Sequence, residues 1–239
     1  MMGVGKTSAA IHLMNSCPER KFIFITPFLE EIKRIKTACP QLKFSEPSYA
    51  KKTNKFTNFK ELLEKGGNIA STHALFQKCD SYIESLIRDG GYTLILDEVC
   101  DVITVLDIPP SDLRLYLRHK IITVGQDGRV YWNEEDYGRD GKNNETVQAI
   151  QSGHVIMENG KLLIWQFPYT VFDAFEETLI LTYKFNSQVQ KYYFDMYGLG
   201  YDYIGARKSG EHYEFCASDE MLPLVLGLPA KIHILDLIS

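Results

Sequence analysis

Met1-Met2-Gly3-Val4-Gly5-Lys6-Thr7-Ser8-Ala9-Ala10-Ile11-His12-Leu13-Met14-Asn15 opens the chain. A Gly-Lys-Thr running into a helical pattern is how proteins hold nucleotide phosphates. Glycines let backbone N–H groups turn inward around an anion, and the helix that follows points its positive end at the same place. Gly3, Val4, Gly5, Lys6, Thr7 and Ser8 are therefore the expected phosphate-binding residues. In that arrangement Lys6 reaches the β- and γ-phosphates, and the Thr7 hydroxyl binds Mg²⁺.

The full signature is G-x-x-x-x-G-K-[ST]. With Gly5 as its second glycine, the first falls one residue before Met1, and no apolar strand precedes Gly3. The chain reads as one that starts late, without the first strand of its sheet. A chance Gly-Lys-Thr is the bland alternative, and the rest of the chain has to decide between them.

Two adjacent carboxylates downstream favour the phosphate reading. Tyr92-Thr93-Leu94-Ile95-Leu96 is an apolar, β-branched run that delivers Asp97-Glu98 at its end. A Mg²⁺ held on phosphates needs an acidic partner, which suits Asp97, and hydrolysis needs a base to orient water, which suits Glu98. Lys6 and Glu98 are thus the expected catalytic pair, with Thr7 and Asp97 on the metal.

Composition agrees with one sizeable core. The 239 residues are 45% hydrophobic and 24% charged, with a net charge of −5 that gives no general attraction to nucleic acid or to acidic membranes. The five cysteines are scattered, with no C-x-x-C pair, as in reduced cytosolic proteins. No apolar run is long enough for a membrane span, and no secretory signal is evident, so a cytoplasmic protein without a membrane partner is expected. The six histidines have no ligand spacing, and His73 reads as a helix-start residue bonded locally.

Along the chain, a helix from Thr7 to about Ser16 is followed by the buried strand Lys21–Thr26, and helical spacing resumes at Phe28. Residues 43–66 are basic, with Lys43, Lys51, Lys52, Lys55, Lys60 and Lys65 interleaved with Tyr49, Phe56 and Phe59. Such a run either follows a phosphate backbone, with rings stacking on bases, or is a solvated helix face. A short strand ends at Thr72-His73, and one helix is expected from Ala74 to about Ile87, stopped by Gly90-Gly91.

Beyond residue 103 the pattern changes. Pro109-Pro110 interrupts it, Ser111 is placed to cap a short helix, and two hairpins follow, 121–124 with 129–132 and 154–157 with 161–165. Residues 133–144 between them are polar and read as a loop. Helical spacing returns at Tyr169, a buried strand spans 177–183 with the hydroxyls of Thr182 and Tyr183 at its end, and a helix from Phe185 to Tyr197 is closed by Gly198. Strands are expected at 201–205 and at 231–235, where the chain looks cut. The expected organisation is an α/β core over 1–103, an insertion over 104–177, and over 178–239 either the rest of the core or the start of a second domain.

Gly3-Val4-Gly5-Lys6-Thr7, Thr26-Pro27, Thr72-His73, Asp97-Glu98 and Thr182, in that order, resemble the first motor domain of superfamily 2 (DEAD/DEAH-box) helicases, and more narrowly the helicase-like ATPases of phages and prophages. The resemblance implies a P-loop, RecA-like parallel sheet flanked by helices. It also implies ATP and Mg²⁺ as cofactors and a nucleic acid, DNA rather than RNA, as partner. On it, Thr26, Pro27 and Thr72 face the nucleic-acid backbone, and Thr182 couples nucleotide state to domain movement. The pair here is followed by Val99-Cys100, so it is neither Asp-Glu-Ala-Asp nor Asp-Glu-Ala-His, and no second motor domain with its arginine fingers follows. Two rival readings stand beside this one. The first is a small-molecule kinase whose lid would use Arg114, Arg118, Arg129 or Arg139, and the second is a non-enzymatic remnant that no longer holds nucleotide.

Overall fold

The computed structural model describes residues 4–49, 54–133, 144–217 and 231–236. In chain order the elements are α1 (Val4–Ser16), β1 (Lys21–Thr26), α2 (Leu29–Ala38), α3 (Lys55–Glu64), β2 (Ile69–Thr72), α4 (His73–Phe76), α5 (Ser81–Gly90) and β3 (Tyr92–Asp97). Next come β4 (Ile103–Leu106), α6 (Pro110–Arg118), β5 (Ile122–Val124), β6 (Val130–Trp132), α7 (Asn144–Gln151), β7 (Val155–Glu158) and β8 (Leu162–Gln166). The chain then continues through α8 (Tyr169–Ala174), β9 (Glu177–Thr182), α9 (Val189–Tyr197), β10 (Tyr201–Ser209), β11 (His212–Ala217) and β12 (Ile232–Asp236).

These elements form two units, 1–100 with 169–239, and 101–168. The first is built on a seven-stranded sheet in the order β11-β10-β12-β9-β3-β1-β2. Six of its strands run parallel, and β11 pairs antiparallel at one edge. The fold is mixed α/β with a mostly parallel sheet flanked by helices. Apolar residues alternate to both faces of β1 and β3, as a strand covered on both sides requires. Phe22, Phe24, Ile95, Leu179 and Leu181 pack with Ala9, Ala10 and Met14 of α1 and with Ile32 and Ile35 of α2. The intervening Ile23, Ile25, Leu94 and Leu96 point the other way and are equally buried. A second group of aromatic side chains joins α4, α8 and α9, with the Phe76 ring 6.3 Å from Phe172 and Phe172 5.1 Å from Phe194. At the amino ends of the strands, Glu177 takes an ion pair from Arg20 and lies 3.4 Å from His233 Nε2. That polar knot ties the lead-in of β1 to β9 and β12.

Strands β1, β2, β3 and β9 lie where the apolar runs place them. Several other expectations are corrected. The helix expected from Ala74 to Ile87 is two, because the Asp80 side chain accepts the Ile83 N–H at 2.9 Å and starts α5 afresh. The helix expected from Phe185 begins as a 3-10 turn, Phe185–Ser187, before α9. Pro109 and Pro110, not Ser111, begin α6, since proline at the first helical position gives up no needed N–H. Strand β10 runs on to Ser209 and turns at Gly210 (φ 62°) into β11, a hairpin that the sequence reading missed. Residues 178–217 and 231–236 complete the sheet of the first unit and begin no second domain.

In the second unit both expected hairpins are present, as β5–β6 and β7–β8. Strand β4 was not foreseen. It pairs antiparallel with β8 to make a three-stranded sheet, and α7 closes a core with Leu113, Tyr116, Ile122, Val130, Ile150, Val155 and Leu163. Trp132 packs edge-on against Tyr116, as a hairpin core residue rather than a base-stacking platform. The unit ends at 168, not 177, because Val171, Phe172 and Ala174 of α8 are buried in the first unit. Most of the polar interval 133–144 lies outside the described residues.

Candidate functional site

Parallel strands bring their carboxyl ends to one edge of a sheet. Pairing of β1 with β2 sets Thr26 beside Thr72, and pairing of β3 with β9 sets Asp97 beside Leu181, with Thr182 next in line. The first turn of α1 reaches the same edge. Thr7 Oγ1 donates to Asp97 Oδ1 at 3.4 Å, and Thr26 Oγ1 donates to Asp97 Oδ2 at 3.1 Å. Lys6 Nζ lies 3.8 Å from Glu98 Oε1, and Thr182 Oγ1 donates to Glu98 Oε2 at 3.3 Å. Lys6, Thr7, Thr26, Asp97, Glu98 and Thr182 thus converge from four separate parts of the chain. Of these, Lys6, Thr7, Thr26, Asp97 and Thr182 are buried, while the Glu98 side chain is 46% exposed.

Glu98 stands apart in its backbone as well. Its φ of 64° is left-handed, which costs a non-glycine residue on the order of 1 kcal/mol. The turn is held because the Glu98 N–H donates to the Leu181 carbonyl at 2.9 Å. It swings the Glu98 side chain towards Lys6 and solvent while Asp97 stays inside.

The remaining phosphate-binding residues are placed differently from expectation. Gly3 lies outside the described residues. Val4 and Gly5 belong to the first turn of α1 and not to a loop ahead of it. The first N–H groups of an α-helix lack partners within it, so this turn presents backbone donors at the sheet edge. A Cβ at Gly5 would come within 3.1 Å of the Tyr213 ring, so a glycine here lets α1 press onto β11. Ser8 faces α2, where its Oγ accepts from Arg34 at 3.4 Å. Pro27 is exposed just past the end of β1.

His73 begins α4, as its place in the sequence suggests, and its Nε2 also lies 3.1 Å from the carbonyl oxygen of Asp97, 24 residues away, a contact the sequence reading missed. Gln190 was missed altogether. It is fully buried on α9, and its Oε1 accepts the Cys100 N–H at 3.1 Å. Nothing in the spacing of a single glutamine signals such a contact.

In the basic interval, Phe59 is completely buried and cannot stack on a base. Lys60 pairs with Asp80 at 2.6 Å and lies over the Phe56 ring, and Lys55 lies over Tyr49. Lys51 and Lys52 lie outside the described residues. Of the arginines suited to a lid, Arg129 is held within the second unit by Asp127 and by the Gly153 carbonyl, and Arg139 lies outside the described residues.

Among the described residues no group of three or more His, Cys, Asp or Glu side chains could hold a metal by itself. Magnesium bound to phosphates needs less from the protein. Two adjacent ligands of an octahedral Mg²⁺ stand about 3 Å apart, close to the 3.4 Å between Thr7 Oγ1 and Asp97 Oδ1. A hydroxyl and a carboxylate are the hard oxygen donors this ion takes, so the residues present fit it.

Burial pushes the Asp97 carboxyl up to about 6 from an ordinary 3.8; the neighbouring charges of Glu31 and Glu98 add to this, and the Thr26 and Thr7 hydrogen bonds oppose it. Between those two values the folded chain holds a proton that the unfolded chain releases. Asp97 therefore lowers stability as the pH rises through that window and by a constant amount above it. Asp97→Asn is accordingly expected to raise stability at pH 7 by roughly 1–3 kcal/mol. The gain should vanish near pH 4 in urea denaturation, and a variant less stable than the parent at pH 7 would contradict the assignment.

Fold and cluster together define a mixed α/β protein with a polar site at the carboxyl ends of its parallel strands. The chain is similar to the SPbeta prophage-derived uncharacterized protein YonV of Bacillus subtilis (strain 168), with 36% identity over 224 residues; the match takes in 90% of this chain and 54% of that protein. The chain thus spans about half the length of that relative. Residues 103–165 match the family described as the YonV middle domain, a segment that falls within the second unit. No solved structure matches the chain. Among the described residues no helix is long and apolar enough to cross a membrane.

Proposed function

We propose that the chain is the ATP-binding and ATP-hydrolysing part of a helicase-like motor that acts on nucleic acid, DNA in preference to RNA, with its main sheet as a RecA-like P-loop core. The observation that carries this reading is the meeting of Lys6 and Thr7 with Asp97 and Glu98, which lie some ninety residues apart in the sequence. A buried ammonium, a hydroxyl, a buried carboxylate and a half-exposed carboxylate are the groups that triphosphate hydrolysis uses.

In this reading the Lys6 ammonium leaves Glu98 for the β- and γ-phosphate oxygens. Thr7 Oγ1 and Asp97 would hold a magnesium ion, which would offset the negative charge that develops on the phosphates. Glu98, released from Lys6, orients a water and takes its proton as the water oxygen bonds to the γ-phosphorus. The bond from that phosphorus to the bridging oxygen breaks, leaving ADP and phosphate. Pro27 and Thr72 border the nucleic-acid side; Thr26, expected there too, is fully buried with its hydroxyl on Asp97 and so positions that carboxylate instead, and Thr182 links Glu98 to β9. A second motor domain completes the assembly with an arginine finger worth on the order of a thousandfold in rate. The prophage origin of the relative suits a protein of the bacterial or phage-infected cytoplasm.

The test is ATP binding and phosphate release by the full chain with Mg²⁺, alone and with single-stranded DNA or RNA. Binding with slow hydrolysis, stimulated more by DNA than by RNA, is expected. Phosphoryl transfer to a small molecule instead of water would favour the kinase reading, and no nucleotide binding would favour the remnant.

A further inference from the structure

Three segments grip the turn that carries Glu98, and only one of them belongs to the chemistry just described. From β9, the Leu181 carbonyl takes the Glu98 N–H, and Thr182 donates to its carboxylate. From the start of α4, His73 Nε2 lies 3.1 Å from the Asp97 carbonyl, the peptide oxygen immediately before the left-handed residue. From α9, Gln190 Oε1 takes the Cys100 N–H at 3.1 Å, two residues beyond it. Gln190 is 1% exposed, and its Nε2 has no partner among the described residues. Burying that amide is unfavourable, so the bond to Cys100 is the contact that the side chain makes to offset it.

We propose that His73 and Gln190 are positioning residues that fix the peptide on either side of Glu98, and thereby hold its carboxylate where an attacking water must be met. The assignment of a water to Glu98 rests on the proposed function; the clamp itself does not. A carbonyl oxygen only accepts, so His73 carries its proton on Nε2 and donates it to Asp97. Because His73 follows Thr72 at the end of β2, a nucleic-acid backbone at that strand end would act on Glu98 through one side chain. The clamp therefore gives hydrolysis a route by which it responds to nucleic acid.

Amide hydrogen exchange of Glu98 and Cys100 in the full chain without nucleotide tests the clamp. His73→Leu should speed exchange at both amides roughly three- to tenfold, the range of one net hydrogen bond, and His73→Gln, which keeps an N–H donor, should restore most of the protection. Unchanged exchange in His73→Leu would overturn the proposal. Should that variant not fold, nitrogen NMR of the parent chain decides: a proton on Nε2 of His73 supports the clamp, and a bare Nε2 overturns it. With ATP, His73→Leu should lower kcat about ten- to a hundredfold at nearly constant KM, with rescue by His73→Gln. A parent chain that hydrolyses no ATP would end the motor reading, while the exchange result would still judge the clamp.

Discussion

Lys6→Ala is expected to abolish measurable nucleotide affinity, with Kd for a fluorescent ATP analogue rising at least about a hundredfold. The argument starts from burial. Lys6 is only 5% exposed, yet the one carboxylate paired with it among the described residues lies 3.8 Å away, beyond hydrogen-bond reach. A charge-assisted contact to a phosphate oxygen contributes roughly 1.5–3 kcal/mol, and on the proposed reading the lysine serves two phosphates at once. The pair with half-exposed Glu98 contributes far less, about 1 kcal/mol or under. The substitution should therefore leave the urea midpoint nearly unchanged while affinity collapses. That split between binding and stability separates a ligand-binding lysine from a structural one. Affinity equal to the parent's would remove the phosphate site and the motor with it.

The sequence made this site readable because its parts are local signals. Gly5-Lys6-Thr7 and Asp97-Glu98 each carry a motif, and the strands that position them are continuous apolar runs whose burial on both faces leaves little freedom of assignment. What stayed hidden depends on partners distant in the chain. A helix from Ala74 through Ile87 looks unbroken until the Asp80 side chain turns back to cap Ile83. Strand β12 reads as the end of the chain, yet it lies inside the sheet, between β9 and β10, where its Ile232–Asp236 backbone finds partners on both sides. His73 is the helix-start residue that its place after Thr72 suggests, but nothing local signals its second contact. Only the parallel pairing of β2, β1 and β3 brings its ring to the Asp97 carbonyl.

Glu98→Gln is expected to retain nucleotide binding and to lose turnover by about a hundred- to ten-thousandfold, the range that a positioned general base supplies. Geometry divides the two acids. Asp97 is buried, with both oxygens engaged by hydroxyls, so of the two acids it is the less suited to take a proton from a water. Glu98 keeps one oxygen on Thr182 and turns the other towards Lys6 and solvent. Glutamine matches glutamate in size, adopts the left-handed backbone at a similar cost, and keeps an oxygen for Thr182, so the fold should persist. On the proposed reading the change removes the base and one negative charge beside the γ-phosphate. Affinity for ATP should therefore hold or tighten a few-fold while phosphate release stops. Single-turnover hydrolysis beside equilibrium binding makes the distinction. If binding and turnover fall together, Glu98 serves the structure of the turn, and the attacking water must be activated by another group.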